Sequence, residues 1–162
     1  YVAKDSMLKV PLLSLWMKRL YCLFLNRSDV KEGLKTILTG IDQIKHGISM
    51  CIFPEGTRSK NKSETEMLPF KEGSLKMAEK SGCTPCQDKE HSGCPVIPMA
   101  LTGTADILEN HFPRIKPTHV ILEYGEPIYI KELSKEDKKH IGNYTREKIL
   151  TMLEKQSTLP RS

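Results

Sequence analysis

The pattern of apolar and polar positions divides the first half of the chain into strand, helix and strand. Residues 21–26 and 48–52 are apolar runs of strand length, and each run leads into polar residues. Between them, apolar residues recur at helical spacing after Asp29, which suits a helix cap, and the pattern stops at Gly47. Because the two strands flank a helix, this order predicts a parallel pair of strands with a right-handed crossover.

The second half of the chain predicts two further strands and two helices. A short helix is predicted over residues 74–80, and strands over 96–101 and 119–124, the first of them buried. Pro98 inside the first of these strands indicates an edge or an irregularity. Ser134 is predicted to cap a final helix of about 20 residues. The apolar positions predicted for its buried side are Ile141, Tyr144, Ile149, Leu150 and Leu153.

Residues 10–25 form an unusually apolar region that has two interpretations. Pro11 suits the first turn of a helix, so the region fits a core helix that runs into a strand. The same residues fit an element that rests on a bilayer surface. The core interpretation is favoured, and no apolar run approaches the roughly 20 residues of a membrane-spanning helix.

Composition narrows the class of protein. A chain of 162 residues with 38% apolar and 28% charged residues is a single globular domain over residues 1–162. The net charge of +5 fits an anionic partner such as a phosphorylated substrate, a CoA thioester or an acidic lipid surface. Few aromatic residues and no dense basic block argue against nucleic acid. Five cysteines, an odd number, favour a reducing compartment.

The most specific chemistry lies in residues 53–59, Phe-Pro-Glu-Gly-Thr-Arg-Ser, at the end of the second predicted strand. Gly56 allows a sharp turn and close approach to a ligand, and Arg58 offers a fork of donors for phosphate or carboxylate. Arg27 follows the first strand, so both arginines are expected at one sheet edge. The block predicts a site for an anionic ligand that carries a hydroxyl. The alternative is a polar loop with an exposed pair between Glu55 and Arg58.

Residues 83–93 are predicted to be an inserted surface loop, because Ser-Gly-Cys occurs at 81–83 and again at 92–94. The loop also brings together four soft ligands with spacing that resembles a zinc knuckle: Cys83, Cys86, His91 and Cys94. A duplicated junction accounts for two of these cysteines without a metal. Both interpretations stay open, and the zinc site is the weaker one.

These blocks together resemble the glycerolipid acyltransferase family, especially the enzymes that acylate 1-acyl-sn-glycerol 3-phosphate (lysophosphatidate). Residues 53–59 resemble the family's third block letter for letter. Residues 23–27 resemble the second block, with Asn26 where an acidic residue is more usual, and residues 96–101 resemble the fourth. Residues 70–73 and 125–128 also occur in the expected order. The resemblance covers nearly the whole chain.

The resemblance implies an α/β protein with a glycerol-3-phosphate acyltransferase-like three-layer fold, in which a mixed, mostly parallel sheet is flanked by helices. It implies transfer of a fatty acyl group from acyl-CoA or acyl-ACP to the sn-2 hydroxyl of the acceptor, giving phosphatidic acid in phospholipid biosynthesis. No cofactor is implied, and the enzyme is expected to associate with a membrane, as a peripheral or an integral protein, at its cytoplasmic face. The alternatives are another acceptor, such as glycerol 3-phosphate or another lysophospholipid, and a non-catalytic protein that binds phosphate or lipid.

The resemblance also assigns residues. Those expected to bind the substrate phosphate and glycerol are Lys4, Arg27, Glu55, Gly56, Thr57 and Arg58, and those expected to form an acyl-chain or structural wall are Val96, Ile97 and Pro98. The family's catalytic pair is His, four residues, then Asp, and none of the five histidines here has Asp at that spacing. The pair is therefore expected upstream of Tyr1, and the chain by itself is expected to be inactive.

Overall fold

The computed structural model describes residues 1–26, 29–57, 63, 65–81 and 94–158. Short strands alternate with helices in the first part of the chain, and helices end it. Single 3-10 turns, such as Asp5–Lys9, connect some of the elements. In chain order the strands and α-helices are β1 (Val2–Lys4), α1 (Pro11–Arg19), β2 (Leu23–Leu25), α2 (Val30–Lys45), α3 (Glu72–Ser81), β3 (Met99–Thr102), β4 (Ile121–Tyr124), α4 (Lys135–Lys139) and α5 (Ile141–Ser157).

Within the described residues the strands form one parallel and one antiparallel pair. β1 pairs with β2 in parallel, with Lys4 opposite Leu25 at their carboxyl ends. β3 pairs with β4 in the antiparallel sense, and an isolated bridge between Val96 and Ile128 continues that pairing. α2 packs on β2 and α3, and α5 packs on β3. The mixture of helices and small sheets confirms the α/β class.

The predicted boundaries of α2 are confirmed by its caps. Asp29 Oδ1 accepts hydrogen bonds from the backbone nitrogens of Lys31 (2.8 Å) and Glu32 (3.2 Å), which have no partner inside the helix. At the other end Gly47 has a φ of +81°, a left-handed conformation that glycine adopts without steric cost. A local capping signal therefore set both ends of this helix.

The predicted partner of β2 was wrong. Residues 48–52 are not a ladder strand, and β2 pairs with β1 instead. Val2 donates a backbone hydrogen bond to the carbonyl oxygen of Cys51 over 3.2 Å, while Tyr1 O accepts from Leu23 N. Because neighbouring residues of a strand point their backbone groups to opposite sides, these bonds place β1 between β2 and residues 48–52.

The predicted final helix is two helices. Ser134 caps α4 as predicted, since its hydroxyl oxygen accepts a hydrogen bond from Asp137 N over 3.1 Å. The chain then leaves helical geometry at His140, with φ −118° and ψ 38°, and α5 starts at Ile141. Ile141 and Leu153 are buried as predicted, and α5 also buries Thr145 and Gln156.

The predicted buried strand over residues 96–101 is buried on one face only. Pro98 and Ala100 are buried, whereas Ile97, Met99 and Leu101 are exposed. The irregularity expected at Pro98 is confirmed, because the pairing breaks between the Val96 bridge and β3. The strand therefore alternates, which is typical of a sheet with one covered face.

The core prediction for residues 10–25 was wrong for the helix and right for the strand that follows it. Cys22 and Leu23 are 8% exposed. In α1, however, Ser14 is the one buried residue. The core lies elsewhere, in a cluster of Ile41, Ile44 and Met77 and in a second cluster of Leu75, Ile128, Ile130 and Ile141.

Candidate functional site

The backbone turns at Gly56, in the middle of the 53–59 block. Gly56 has a φ of +69°, and its backbone nitrogen donates to Phe53 O over 3.0 Å to close a tight turn. A left-handed φ strains any residue that carries a Cβ, so the backbone conformation favours glycine at this position. Thr57 follows the turn and is exposed. The block thus presents backbone and small polar groups at the surface.

Glu55 has a partner inside the chain. Its Oε2 accepts a hydrogen bond from the backbone nitrogen of Leu68 over 3.1 Å. Arg146 on α5 holds the neighbouring carbonyl oxygen, with Nη2 2.7 Å from Met67 O. These two bonds hold residues 67–68 beside the block. The Glu55 carboxylate therefore helps to shape the site by keeping Leu68 next to the Gly56 turn.

Lys71 is a cation at this turn that the sequence analysis did not assign. Its backbone nitrogen donates to Pro54 O over 2.9 Å, which holds the residue beside the block. A Cβ built on Gly56 would lie 3.0 Å from Lys71 Cε and 3.1 Å from Nζ, so the lysine stem occupies the space above the glycine. The sequence signal for this residue is the lysine within Phe-Lys-Glu-Gly at residues 70–73.

Lys4 lies at the carboxyl end of β1, opposite the end of β2, and its side chain is exposed. The Val2–Cys51 hydrogen bond places β1 beside the segment that leads into the 53–59 block. Asn26, next after β2, donates through Nδ2 to Glu32 Oε2 over 3.0 Å. The described strand ends therefore place the basic side chain of Lys4 and the polar side chain of Asn26 at one edge of the sheet. The role of Lys4 in binding phosphate stays a prediction.

Several predicted residues lie outside the described residues. Arg27 and Arg58 are among them, so their place at the same edge stays a prediction. The same holds for the inserted loop at 83–93 and for three of the four suggested zinc ligands: Cys83, Cys86 and His91. The fourth, Cys94, is described, and it packs against the core cluster of Ile41 and Met77.

The three residues predicted as a wall face different ways. Val96 packs against the core cluster that contains Ile128, and Pro98 is buried. Ile97 is 49% exposed and begins an apolar face that continues along β3 and β4. Cross-strand pairs on that face join Met99 with Tyr124 and Leu101 with Leu122, all exposed.

The comparison with protein-family models matches residues 1–102 to the family described as Acyltransferase. Relatives include the 1-acyl-sn-glycerol-3-phosphate acyltransferase of Saccharomyces cerevisiae, 27% identical over 93% of this chain and 46% of that protein. The enzyme of the same name from Borreliella burgdorferi is 26% identical over 94% of this chain and 56% of that protein. The chain thus spans about half the length of these relatives.

A solved structure has the same fold. The 1-acyl-sn-glycerophosphate (LPA) acyltransferase PlsC from Thermotoga maritima superposes with a TM-score of 0.76 at 25% sequence identity. The match covers 99% of this chain and 58% of that protein. The family model includes β1, the 53–59 block and β3, the elements that carry the candidate site. On these grounds the chain belongs to the acyltransferase family.

Proposed function

We propose that this chain binds a lysophosphatidate and positions its sn-2 hydroxyl for acylation by an acyl thioester, which gives phosphatidic acid. The observation that carries the proposal is the left-handed turn at Gly56 with the Lys71 stem packed over it. Such a turn presents backbone groups to a ligand, and the ammonium supplies positive charge beside them. The names of the relatives and of the solved structure support the acceptor and the reaction.

The chain's part in the reaction is binding and orientation. Lys4 and Lys71, with Arg27 and Arg58, hold the phosphate, while Glu55, Gly56 and Thr57 shape the site for glycerol. Fixing the phosphate places the hydroxyl against the thioester carbonyl. Such positioning lowers the activation barrier by several kcal/mol, up to about 7–11 kcal/mol. No general base is assigned to this chain, because no histidine here is followed, after four intervening residues, by the family's Asp.

The acyl chains need apolar surface, and the face that starts at Ile97 offers it. We place the acyl-chain wall there, with Val96 and Pro98 as its structural support. The acyl donor is acyl-CoA or acyl-ACP.

The two small sheets are proposed to belong to one mixed, mostly parallel sheet in a three-layer fold, within a single domain over residues 1–162.

The protein is proposed to act at the cytoplasmic face of a membrane, where its lipid acceptor lies. The odd number of cysteines supports a reducing compartment. Among the described residues, no helix has both the length and the apolar character that a membrane crossing requires.

The test is acceptor binding, measured by titration calorimetry with lysophosphatidate and with the matching monoacylglycerol. We expect the phosphate to increase affinity at least about tenfold, since it forms charge-assisted hydrogen bonds with the basic side chains. Equal affinity for the two lipids would contradict phosphate recognition. Acyl transfer is measured on the protein purified from its own cells, with acyl-CoA and acyl-ACP in parallel, and transfer from neither donor would contradict the proposed reaction.

A further inference from the structure

Helix α1 has its apolar stripe on the outside. Leu12 is 81% exposed and Trp16 is 71% exposed, one helical turn apart. Ser14, on the opposite side, is buried, and its hydroxyl donates to Pro11 O over 2.9 Å. A helix on a globular protein normally turns its apolar stripe to the core, so the orientation of α1 is reversed. We call the exposed apolar residues of this region the α1 surface: Leu12, Leu13, Leu15, Trp16, Leu20 and Tyr21.

The charged residues within α1 and next to it along the chain are all positive. Lys9 precedes the helix, and Lys18 and Arg19 form its last turn, all of them exposed. Residues 6–28 contain no aspartate and no glutamate. Apolar and aromatic side chains flanked by cations only are complementary to a surface that has acyl chains below a layer of negative charge.

Tyr21 is held in an unfavourable backbone conformation at the end of α1. It has a φ of +57°, and its nitrogen donates to Lys18 O while Cys22 N donates to Met17 O, a helix ending that usually has glycine at this place. The side chain is nonetheless 59% exposed. Tyrosine and tryptophan are enriched where a bilayer meets water, so an exposed tyrosine ring at this position suits contact with the bilayer interface.

The α1 surface follows directly from the candidate site. β1 ends at Lys4, the 3-10 turn Asp5–Lys9 packs on β2, and α1 begins at Pro11. α1 has nine residues, about 14 Å of helix, which is far shorter than a bilayer is thick. The helix is therefore suited to lie in the membrane plane.

We infer that the α1 surface binds an anionic lipid bilayer, with Leu12, Trp16 and Tyr21 at the boundary between headgroups and acyl chains. The inference rests on the proposed function in one respect: the contact with the bilayer would present a membrane-borne acceptor to the site beside Lys4. Its occupant is the bilayer itself, and it needs neither the acceptor nor the acyl donor. The two ideas can therefore fail separately.

Trp16, the single tryptophan of this sequence, reports on the contact directly. The purified protein is mixed with vesicles of phosphatidylcholine and phosphatidylglycerol, and with vesicles of phosphatidylcholine alone. We expect a blue shift of the emission with the anionic vesicles and quenching by lipids brominated in the upper part of the acyl chain. Emission unchanged by the anionic vesicles, in the wild-type protein, overturns the inference.

Variants locate the contact by vesicle flotation. The pair Leu12→Ser and Leu20→Ser is expected to weaken binding at least about tenfold, because two apolar side chains leave the boundary. The matched control is Leu34→Ser with Leu38→Ser on α2, each 57% exposed, and it is expected to bind as the wild type does. Equal loss in both pairs overturns the assignment to α1.

Two further outcomes separate the alternatives. If the protein self-associates without lipid and the α1 pair abolishes that association, the α1 surface is a contact between copies and the inference fails. If the protein binds vesicles through α1 but does not distinguish lysophosphatidate from monoacylglycerol, the inference stands and the proposed acceptor is wrong.

Discussion

Both carboxylate oxygens of Glu72 lie 3.1 Å from the backbone nitrogen of Gly142, 70 positions further along the chain. Glu72 begins α3, and Gly142 is the second residue of α5, so one carboxylate lies at the amino-terminal ends of two helices. The first nitrogens of a helix have no partner within it, and the helix dipole favours negative charge there. A Cβ on Gly142 would lie 2.7 Å from Glu72 Oε1, so the close approach depends on glycine.

Replacing Glu72 with alanine is expected to lower the free energy of unfolding by about 2 kcal/mol, because Gly142 N loses a charged acceptor. Glu72→Gln keeps one acceptor oxygen and is expected to lose about half as much. Urea denaturation followed by circular dichroism measures both. Glu79→Ala, an exposed site on the same helix, is the control. A loss at Glu79 as large as that at Glu72 would show that the contact contributes nothing specific.

Gly56→Ala is expected to destabilise the fold by about 1–2 kcal/mol, since alanine is strained at a φ of +69° and its Cβ displaces Lys71. Gly73→Ala is the matched control. Gly73 lies in α3, and a Cβ added to it would have nothing within 4 Å. Alanine at this position is therefore expected to raise the free energy of unfolding by about 0.5–1 kcal/mol. Chemical denaturation of the two variants should therefore give shifts of opposite sign, and a shared sign would refute this account of Gly56.

Lys71→Met is expected to weaken lysophosphatidate binding about tenfold and to leave stability nearly unchanged. Methionine keeps an apolar stem over Gly56, and the hydrogen bond from the backbone nitrogen to Pro54 O does not involve the side chain. Lys76→Met on the exposed side of α3 removes the same charge away from the turn. Calorimetric affinities that fall equally in both variants would mean that only net charge matters.

Tyr21→Gly is expected to raise the free energy of unfolding by about 1 kcal/mol and to weaken vesicle binding, because glycine relieves the left-handed strain and removes the ring. Tyr21→Ala keeps the strain and also removes the ring. It should therefore match glycine in the flotation assay and give no gain in thermal or urea denaturation. A gain from alanine equal to that from glycine would place the effect outside the backbone conformation.

The sequence by itself determined the features that depend on neighbours in the chain. Asp29 and Gly47 bound α2 because a side-chain cap and a left-handed glycine act within a few residues. Ser134 starts α4 for the same reason. The 53–59 block, with the other blocks in the expected order, indicated the family. Gly56 was assigned a sharp turn because glycine adopts a left-handed φ without steric cost.

Only the tertiary structure decided which elements meet. The apolar runs at 21–26 and 48–52 could equally pair with each other or with a third strand, and β1 takes the place between them. The break at His140 lies two residues before Gly142, whose backbone nitrogen donates to Glu72, a contact between distant residues that no local pattern shows. α1 has the composition of a core helix, yet its apolar stripe faces outward. Hydrophobic pattern fixes which residues share a face, whereas the packing of distant elements decides what that face touches.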